Sequence, residues 1–252
     1  MEGLTKKLED LNISGSENTS NEPKNHIKED IKNLSTKNKR EDKIVIVFSG
    51  SDLLWYKAKK PIESDIKPDF IFQKVKSIYF NKKFIKDFYE KILKHPRCHP
   101  AFISSMNIYN SQILIEQMYR FCGIKKEDQI EKLIYLGKKC HDMTSIDPKN
   151  PDMIPEFKRN IGNMSYCINK FFQTKKKFYK MIILESDPEK MSNSTKPYSI
   201  LCSIFNEDYI SKKETRDDVD KKGQKLIEYL EKFLNNCYKN IDTYLKENSF
   251  EI

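Results

Sequence analysis

Residues 43–55, KIVIVFSGSDLLW, contain the pattern that decides the fold. Five apolar residues, 44–48, run without interruption and then meet Ser49-Gly50-Ser51-Asp52. A short β-branched run that breaks into a Gly/Ser turn is typical of a strand buried on both faces of a parallel sheet. Ligand sites in such sheets lie beyond the carboxyl ends of the strands. The stretch therefore predicts a buried strand followed by a functional loop.

The rest of the chain alternates strands with helices. Further strands are predicted over 101–103, 181–184 and 199–204, because each is a short apolar run. Helical spacing of apolar residues predicts helices over 84–93, 109–121, 130–136 and 166–174, and a long one from 226 to 244. This order predicts an α/β fold, a Rossmann-like, mostly parallel sheet flanked by helices.

The first 42 residues differ in composition from the remainder. They are rich in Asn, Ser, Lys and Glu and have few large apolar side chains. Such a segment cannot bury enough surface to offset chain entropy, so residues 1–42 are predicted to form a disordered arm. Residues 43–247 are predicted to form one α/β domain, with a helical and loop insertion over 123–165.

Net charge is concentrated in the predicted domain. The arm has eight Lys and Arg against nine Asp and Glu, whereas the remainder has 38 against 28. A basic domain is suited to nucleic acid or the ribosome, an anionic membrane surface or an acidic protein. Lys175-Lys176-Lys177 and the lysines near Trp55-Tyr56 mix cations with aromatic rings, a composition that binds phosphate backbones and bases. A solvated surface is the alternative interpretation.

The apolar runs and the cysteines indicate which cellular compartment and which metal sites to expect. No apolar run approaches the ~20 residues that a membrane-spanning helix needs. The six cysteines have no paired spacing, and no secretory signal precedes them, so an intracellular, reducing compartment is expected. His95, Cys98 and His99, and the pair Cys140-His141, match no common zinc spacing. No metal site is predicted from these residues.

Five stretches, taken in order, resemble the haloacid dehalogenase superfamily, and within it the RNA polymerase II carboxyl-terminal-domain phosphatases. Each stretch alone is a weak signal, and the likeness covers 43 to roughly 235 through the order and spacing of all five. They are IVIVFSGSDLLW (44–55), KKFIKDFYEKIL (82–93), AFISSMNIYNSQILIEQM (101–118), YCINKFFQTKKKFYKMIILESDP (166–188) and LIEYLEKFL (226–234).

The resemblance implies a catalytic apparatus whose residues this chain has replaced. In that family an aspartate after the first strand attacks phosphorus and a second aspartate acts as acid and base. A Ser or Thr after the second strand and a Lys before the third hold phosphate, and a carboxylate after the third binds magnesium. The corresponding positions here are Phe48, Gly50, Ile103, Asn169, Glu185 and Ser186.

Loss of these groups predicts a pseudophosphatase with no catalytic residues and no cofactor. Phenylalanine cannot attack phosphorus, and catalytic groups that act as a unit fail together. Ser104 and Ser105 follow Ile103, and Lys170 follows Asn169, so these three side chains, with Asp52 and Trp55, are the candidate binding residues. Trp55, the sole tryptophan, is expected at the edge of the core beside the first loop. If the first motif is shifted by four residues, Asp52 becomes a nucleophile in an active, magnesium-dependent phosphatase.

Two local features resemble the non-catalytic branch of the family, the presequence receptors of the mitochondrial inner-membrane translocase. ISSMNIY (103–109) is similar to the receptor's Phe-Ser-Ser-Asn turn, and IILESDP (182–188) to its Ile-Asp-Thr-Asp-Pro strand end. This likeness implies a protein-import component that binds basic, amphipathic peptides through a groove with acidic residues. It implies a mitochondrion-related organelle as the location. The cytoplasm or nucleus is the location expected otherwise, and the oligomeric state stays open.

Overall fold

A five-stranded parallel sheet forms the centre of the molecule. The computed structural model describes residues 43–143, 157–173 and 180–236, together with the single positions 243, 245 and 250. The predicted arm, 1–42, and the lysine run 175–177 lie outside these residues. The central strands are β1 (Ile44–Phe48), β5 (Cys98–Ile103), β6 (Ile134–Leu136), β9 (Met181–Glu185) and β10 (Ser199–Leu201).

The order of these strands across the sheet is β10-β9-β1-β5-β6. Strand β1 therefore lies between β9 and β5, with Phe48 opposite Leu184 on one side and Phe102 on the other. From β1 the chain adds β5 and then β6 on one side, and it then returns to add β9 and β10 on the other side. The carboxyl end of β1 is thus the point where strand order reverses, which is where α/β sheets form their ligand crevices.

Both faces of the sheet are buried, which explains the uninterrupted apolar run of β1. Ile44, Ile46 and Phe48 point into the larger hydrophobic cluster. Val45 and Val47 point into a second cluster on the opposite face. Alternate side chains of a strand point to opposite faces, so a strand covered on both sides must be apolar at every position.

Helices cover the two faces. The larger cluster is covered by α1 (Lys82–Phe88), a π-helical turn (Tyr89–Leu93), α2 (Ile108–Phe121) and α5 (Arg216–Asn236). The opposite face is covered by α3 (Ile161–Phe171). The first residue before α1, α2 and α3 is an asparagine, and its side-chain oxygen accepts a hydrogen bond from a backbone N–H of the first turn. Asparagine is among the best residues for this capping role.

Smaller elements complete the described part of the chain. A three-stranded antiparallel sheet has the order β2 (Trp55–Ala58), β4 (Lys76–Phe80), β3 (Phe70–Phe72). Strands β7 (His141–Met143) and β8 (Phe157–Arg159) form a two-stranded antiparallel pair. The remaining elements are a short helix, α4 (Glu207–Ser211), and 3₁₀ turns at Lys126–Asp128, Lys138–Cys140, Pro188–Lys190, Lys196–Tyr198 and Lys213–Thr215.

The predicted α/β architecture is confirmed, with differences in particular elements. The helix predicted over 130–136 is wrong, because 134–136 form strand β6 at the edge of the central sheet. The helical spacing over 109–121 also predicts that Tyr109 is buried, and this is wrong, because Tyr109 is 70% exposed near the start of α2. Helix α3 begins five residues earlier than predicted, and β10 ends at Leu201. No helix in the described ranges has the length and apolarity to cross a membrane.

Candidate functional site at the carboxyl edge of the sheet

Three loops meet where β1, β5 and β9 end. They begin at Ser49 after β1, at Ser104 after β5 and at Ser186 after β9. The first loop is fixed by its own backbone, since the Gly50 carbonyl accepts from the N–H groups of Leu54 at 2.9 Å and Trp55 at 3.0 Å. The Asp52 carbonyl accepts from Ile204 and Phe205 at 2.8 and 2.7 Å. The loop is therefore anchored to the segment after β10.

Aromatic side chains fill the space beneath this loop. Phe48 is fully buried, and its ring centroid lies 5.7 Å from those of Phe88 and Phe102. The ring of Trp55 is 5.7 Å from that of Phe102 and is 2% exposed. It also lies against Gly50: a Cβ at position 50 would fall 2.0 Å from Cζ2 of the indole. Trp55 thus belongs to the core, and its ring fills the space that a side chain at position 50 would need.

Glu185 is the buried carboxylate of the site, at 1% exposure. Its Oε1 accepts a hydrogen bond from Ser49 Oγ at 3.2 Å and from the Ser186 backbone N–H at 3.0 Å. Its Oε2 accepts from Arg159 Nε at 2.8 Å. Both oxygens are therefore satisfied by groups of the chain itself.

Arg159 is the cation that balances Glu185. It ends β8, is buried, and also donates through Nη1 to His141 Nε2. The other ring nitrogen of His141, Nδ1, lies 3.1 Å from the Gly137 carbonyl. A neutral ring with its proton on Nδ1 satisfies both contacts. Burial, and next the charge of Arg159, lower the pKa of His141 to about 4, which favours that neutral form.

Asp52 lies in the loop after β1 and is partly exposed. Its backbone φ is +60°, a left-handed conformation that aspartate tolerates better than most residues. Burial raises the pKa of its carboxyl group, while Lys190 and Lys57 lower it. Burial lowers the pKa of Lys57 in turn. Asp52 is thus a half-buried carboxylate whose pKa is raised by burial and by Asp187 and Glu185 and lowered by the two lysines.

The remaining candidate residues are distributed more widely. Ser104 Oγ accepts from the Met106 N–H at 3.1 Å, so it stabilises the turn after β5, and the next residue, Ser105, is exposed. Ile103 is a buried strand residue. Asn169 and Lys170 lie near the end of α3, nine or ten residues after the Asn160 cap, and thus roughly 14 Å along the helix axis. The cation that contacts Glu185 is Arg159 rather than Lys170.

The residues at Glu185 do not fit the magnesium ion that an active phosphatase would require. Magnesium needs oxygen ligands in a near-octahedral arrangement. Both oxygens of Glu185 are engaged, and a buried guanidinium lies beside one of them. A divalent cation there would be repelled by Arg159 at short range.

Zinc is not favoured either. Across the described ranges, no group of three or more His, Cys, Asp and Glu side chains could hold a metal ion. Cys98 is buried in β5, and His141 contacts Arg159. The ring of His99 lies 4.7 Å from that of Phe172.

A second concave feature lies between α1 and α5. Close approach of the two helices requires Gly223, since a Cβ there would lie 2.9 Å from Phe84 Cδ2. Beside this contact is a cleft of about 290 Å³ with an apolar floor, Phe84 and Ile227, and a charged rim. The rim consists of Asp87, Asp217, Asp220, Lys83, Lys221 and Gln224. Lys83 Nζ is 2.9 Å from Asp220, so this lysine is already paired.

Sequence reasoning missed both Arg159 and this cleft. Arg159 is far from Glu185 along the chain and stands in no motif, so no local signal identifies it. The cleft combines residues from α1 and α5, which are far apart in the sequence. No family model matches the chain, and no curated protein matches it in sequence.

Proposed function

We propose that this protein is a non-catalytic member of the carboxyl-terminal-domain phosphatase-like family that binds a protein or peptide partner. Within that role, we propose a receptor-like component of mitochondrial-type protein import. A five-stranded parallel sheet in the order described supports the family assignment. So does the position of the candidate loops at the carboxyl ends of its strands.

The contact between Trp55 and Gly50 carries the non-catalytic part of the proposal. An aspartate at position 50 would serve as the acid and base of the family's reaction. The indole ring excludes any Cβ at that position. Phe48, at the position of the nucleophile, is packed against two further rings. Interior packing at this density has no room for a polar replacement without rearrangement.

The Arg159–Glu185 ion pair supports the same proposal. In this pair Glu185, the carboxylate at the position of the family's metal ligand, is a structural group. Removing either partner of a buried pair leaves an uncompensated charge, which is strongly destabilising. The pair is therefore suited to holding the edge of the sheet together rather than to exchanging ligands during a reaction cycle.

The cleft between α1 and α5 supports a basic, amphipathic peptide as the partner. Its apolar floor suits aliphatic side chains or the methylene stems of lysine and arginine. Three aspartates and two lysines line the rim. Lys83 is engaged by Asp220, which leaves Asp87, Asp217 and Lys221 and a net charge of −1 to face a cationic ligand. This small local excess of negative charge supports attraction of a basic ligand at short range, although the domain as a whole is basic.

Peptide binding tests the receptor role. A fluorescent, amphipathic basic helix should bind the full chain with saturable anisotropy change. Asp217→Asn should weaken binding severalfold, because it removes one rim carboxylate. Asp218→Asn is the matched control, because Asp218 follows Asp217 on the same helix but does not line the cleft. Equal effects of the two substitutions would show that the cleft is not the binding site.

Enzyme assays test the non-catalytic part. Purified protein with an aryl phosphate and magnesium should show no turnover above a buffer blank. Turnover that Asp52→Asn abolishes would establish the phosphatase alternative.

Salt-sensitive binding of RNA, with no peptide binding, would instead favour ribosome or nucleic-acid association. Cell fractionation should place the protein in a mitochondrion-related organelle.

A further inference from the structure

One carboxylate on the rim of the cleft between α1 and α5 is already paired with a lysine of the chain itself. Lys83 Nζ lies 2.9 Å from Asp220 Oδ2, and this ion pair joins α1 to α5. The other rim lysine, Lys221, lies 3.7 Å from Asp218, which does not line the cleft. Lys83 is therefore the rim lysine that engages a carboxylate of the cleft.

We propose that Lys83 is an internal competitor of the basic peptide. A cationic side chain of the peptide displaces Lys83 from Asp220 and pairs with this carboxylate in its place. The inference rests on the proposed function, because it concerns how the same cleft is occupied before and after the peptide binds. It assigns Asp220 as a peptide-binding residue and Lys83 as a residue that sets the affinity.

Asp220 is well placed to exchange one cation for another. Its side chain is 23% exposed, whereas that of Lys83 is 70% exposed. Tyr209 Oη donates to Asp220 Oδ1 at 3.5 Å, on the oxygen that Lys83 does not use, and so helps to orient the carboxylate. A partly buried charge is also screened less by salt than an exposed one. Asp220 can therefore stay in place while its cation changes.

Lys83, in contrast, is held weakly. It is the second residue of α1, where the helix macrodipole disfavours a cation. Its long side chain lies mostly in solvent, and the entropy lost in ordering such a chain offsets much of the attraction in an exposed ion pair. Displacement returns that entropy to Lys83, and water solvates the freed ammonium group.

The exchange changes both the charge and the contacts of the cleft. With Lys83 turned into solvent, the rim has three aspartates and one lysine instead of three and two. The peptide's cation replaces one ion pair by another. Its apolar side chains are buried against Phe84 and Ile227 in the same event, and this burial supplies the net gain.

Peptide affinity of Lys83 variants measures the competition in the full chain. The probe is a fluorescein-labelled amphipathic helix of leucine, lysine and arginine, followed by anisotropy. Lys83→Met keeps the apolar stem and removes the competing charge, so it should tighten binding about two- to fivefold, the range of an exposed ion pair. Lys83→Arg keeps the competing cation and should not tighten binding.

Lys86→Met is the matched control for net charge. Lys86 is exposed on the same helix and does not line the cleft. The substitution removes the same charge, and it should leave the affinity nearly unchanged at about 0.15 M salt, where distant charges are screened. Equal tightening by Lys83→Met and Lys86→Met would overturn the competition, because affinity would then follow net charge alone.

A double-mutant cycle with Asp220→Asn locates the competition. This substitution alone should weaken binding of the peptide, because it removes the carboxylate for which the two cations compete. Lys83→Met added to Asp220→Asn should give no tightening, since competitor and peptide share that group. Tightening of the same size in both backgrounds would exclude Asp220 as the shared residue and overturn the proposal. Circular dichroism should show that each variant is folded.

The outcomes separate this inference from the proposed function. If Asp217→Asn weakens peptide binding and Lys83→Met does not strengthen it, the cleft binds the peptide and only the competition is wrong. If neither the wild type nor Lys83→Met binds the peptide, the receptor role and the competition are both wrong.

Discussion

Gly50 is the residue at which the core and the candidate site compete for the same space. A Cβ there would lie 2.0 and 2.1 Å from two atoms of the Trp55 ring. Gly50→Ala should therefore destabilise the protein by about 1–3 kcal/mol, the range of overpacked cores. Urea denaturation followed by far-ultraviolet circular dichroism measures the change, because this signal does not depend on Trp55.

Two further variants test whether the clash with Trp55 is the cause. Gly137→Ala is the control glycine, since a Cβ there meets its nearest atom, Ile108 Cγ1, at an ordinary 3.5 Å. It should change stability by less than about 0.5 kcal/mol. Trp55→Phe combined with Gly50→Ala should cost at least about 1 kcal/mol less than the sum of the single changes. Additive effects would disprove the contact.

The Arg159–Glu185 pair can be tested by a double-mutant cycle. Glu185→Gln or Arg159→Met alone should reduce the free energy of unfolding by about 3–5 kcal/mol, because each leaves a buried charge without its partner. The double substitution should recover a large part of that loss. Lys190→Ala is the surface control: its 3.2 Å pair with Asp187 is exposed and should contribute less than about 1 kcal/mol.

His141 makes stability depend on pH. Its pKa falls from the usual value to about 4 in the folded protein because of burial and then Arg159. Between about pH 6.5 and 4 the unfolded chain binds the proton and the folded chain does not, so stability is full above this window and is lost as pH falls through it. The loss should be roughly 3 kcal/mol, because each unit of pKa shift corresponds to about 1.4 kcal/mol. Denaturation midpoints of the wild type and His141→Gln should converge as the buffer is acidified, and parallel curves would contradict this origin.

Among the elements, the turn between β3 and β4 has an unfavourable sequence for its conformation. Gln73 and Lys74 have φ values of +52° and +62°, and the Val75 N–H donates to the Phe72 carbonyl at 3.3 Å. This turn type favours Asn-Gly. Replacing the pair with Asn-Gly should stabilise the protein by about 1 kcal/mol. Lys60→Gly, at an exposed position without a positive φ, should not stabilise it.

Strands buried on both faces could be predicted from the sequence. Strands with some exposed and some buried side chains could not. Strands β1 and β9 were found from the sequence because a parallel strand between two helical layers must be apolar throughout. Strand β6 was mistaken for a helix because Ile130, Leu133 and Ile134 imitate helical spacing. The small antiparallel sheet was not predicted, since its short strands mix polar and aromatic residues, as in WYKA and KSIYF, without a regular alternation.

The candidate site was predictable only where its residues lie at strand ends. Ser49, Asp52 and Glu185 were placed at the carboxyl edge because the end of an apolar run marks it. Arg159 is positioned beside Glu185 by the pairing of β8 with β7. No local sequence pattern predicts that contact.

At the scale of the whole molecule, net charge and the cleft act in opposite directions on a basic ligand. The chain has a formal charge of +9 at pH 7, so its long-range field repels a cationic peptide. The carboxylates around the cleft attract the same peptide only at short range. Association and dissociation should therefore respond differently to ionic strength.

Raising ionic strength from about 0.01 to 0.15 M shortens the Debye length from about 30 Å to about 8 Å. Repulsion acts over the longer distance, so salt should increase the association rate of an amphipathic basic peptide severalfold. Screening of the contact carboxylates should increase its dissociation rate as well. Stopped-flow fluorescence measures both rates, with Asp217→Asn expected to change dissociation more than association. An association rate that falls steeply with salt would instead identify an anionic partner, because that is the response of a basic surface steering acidic protein or RNA.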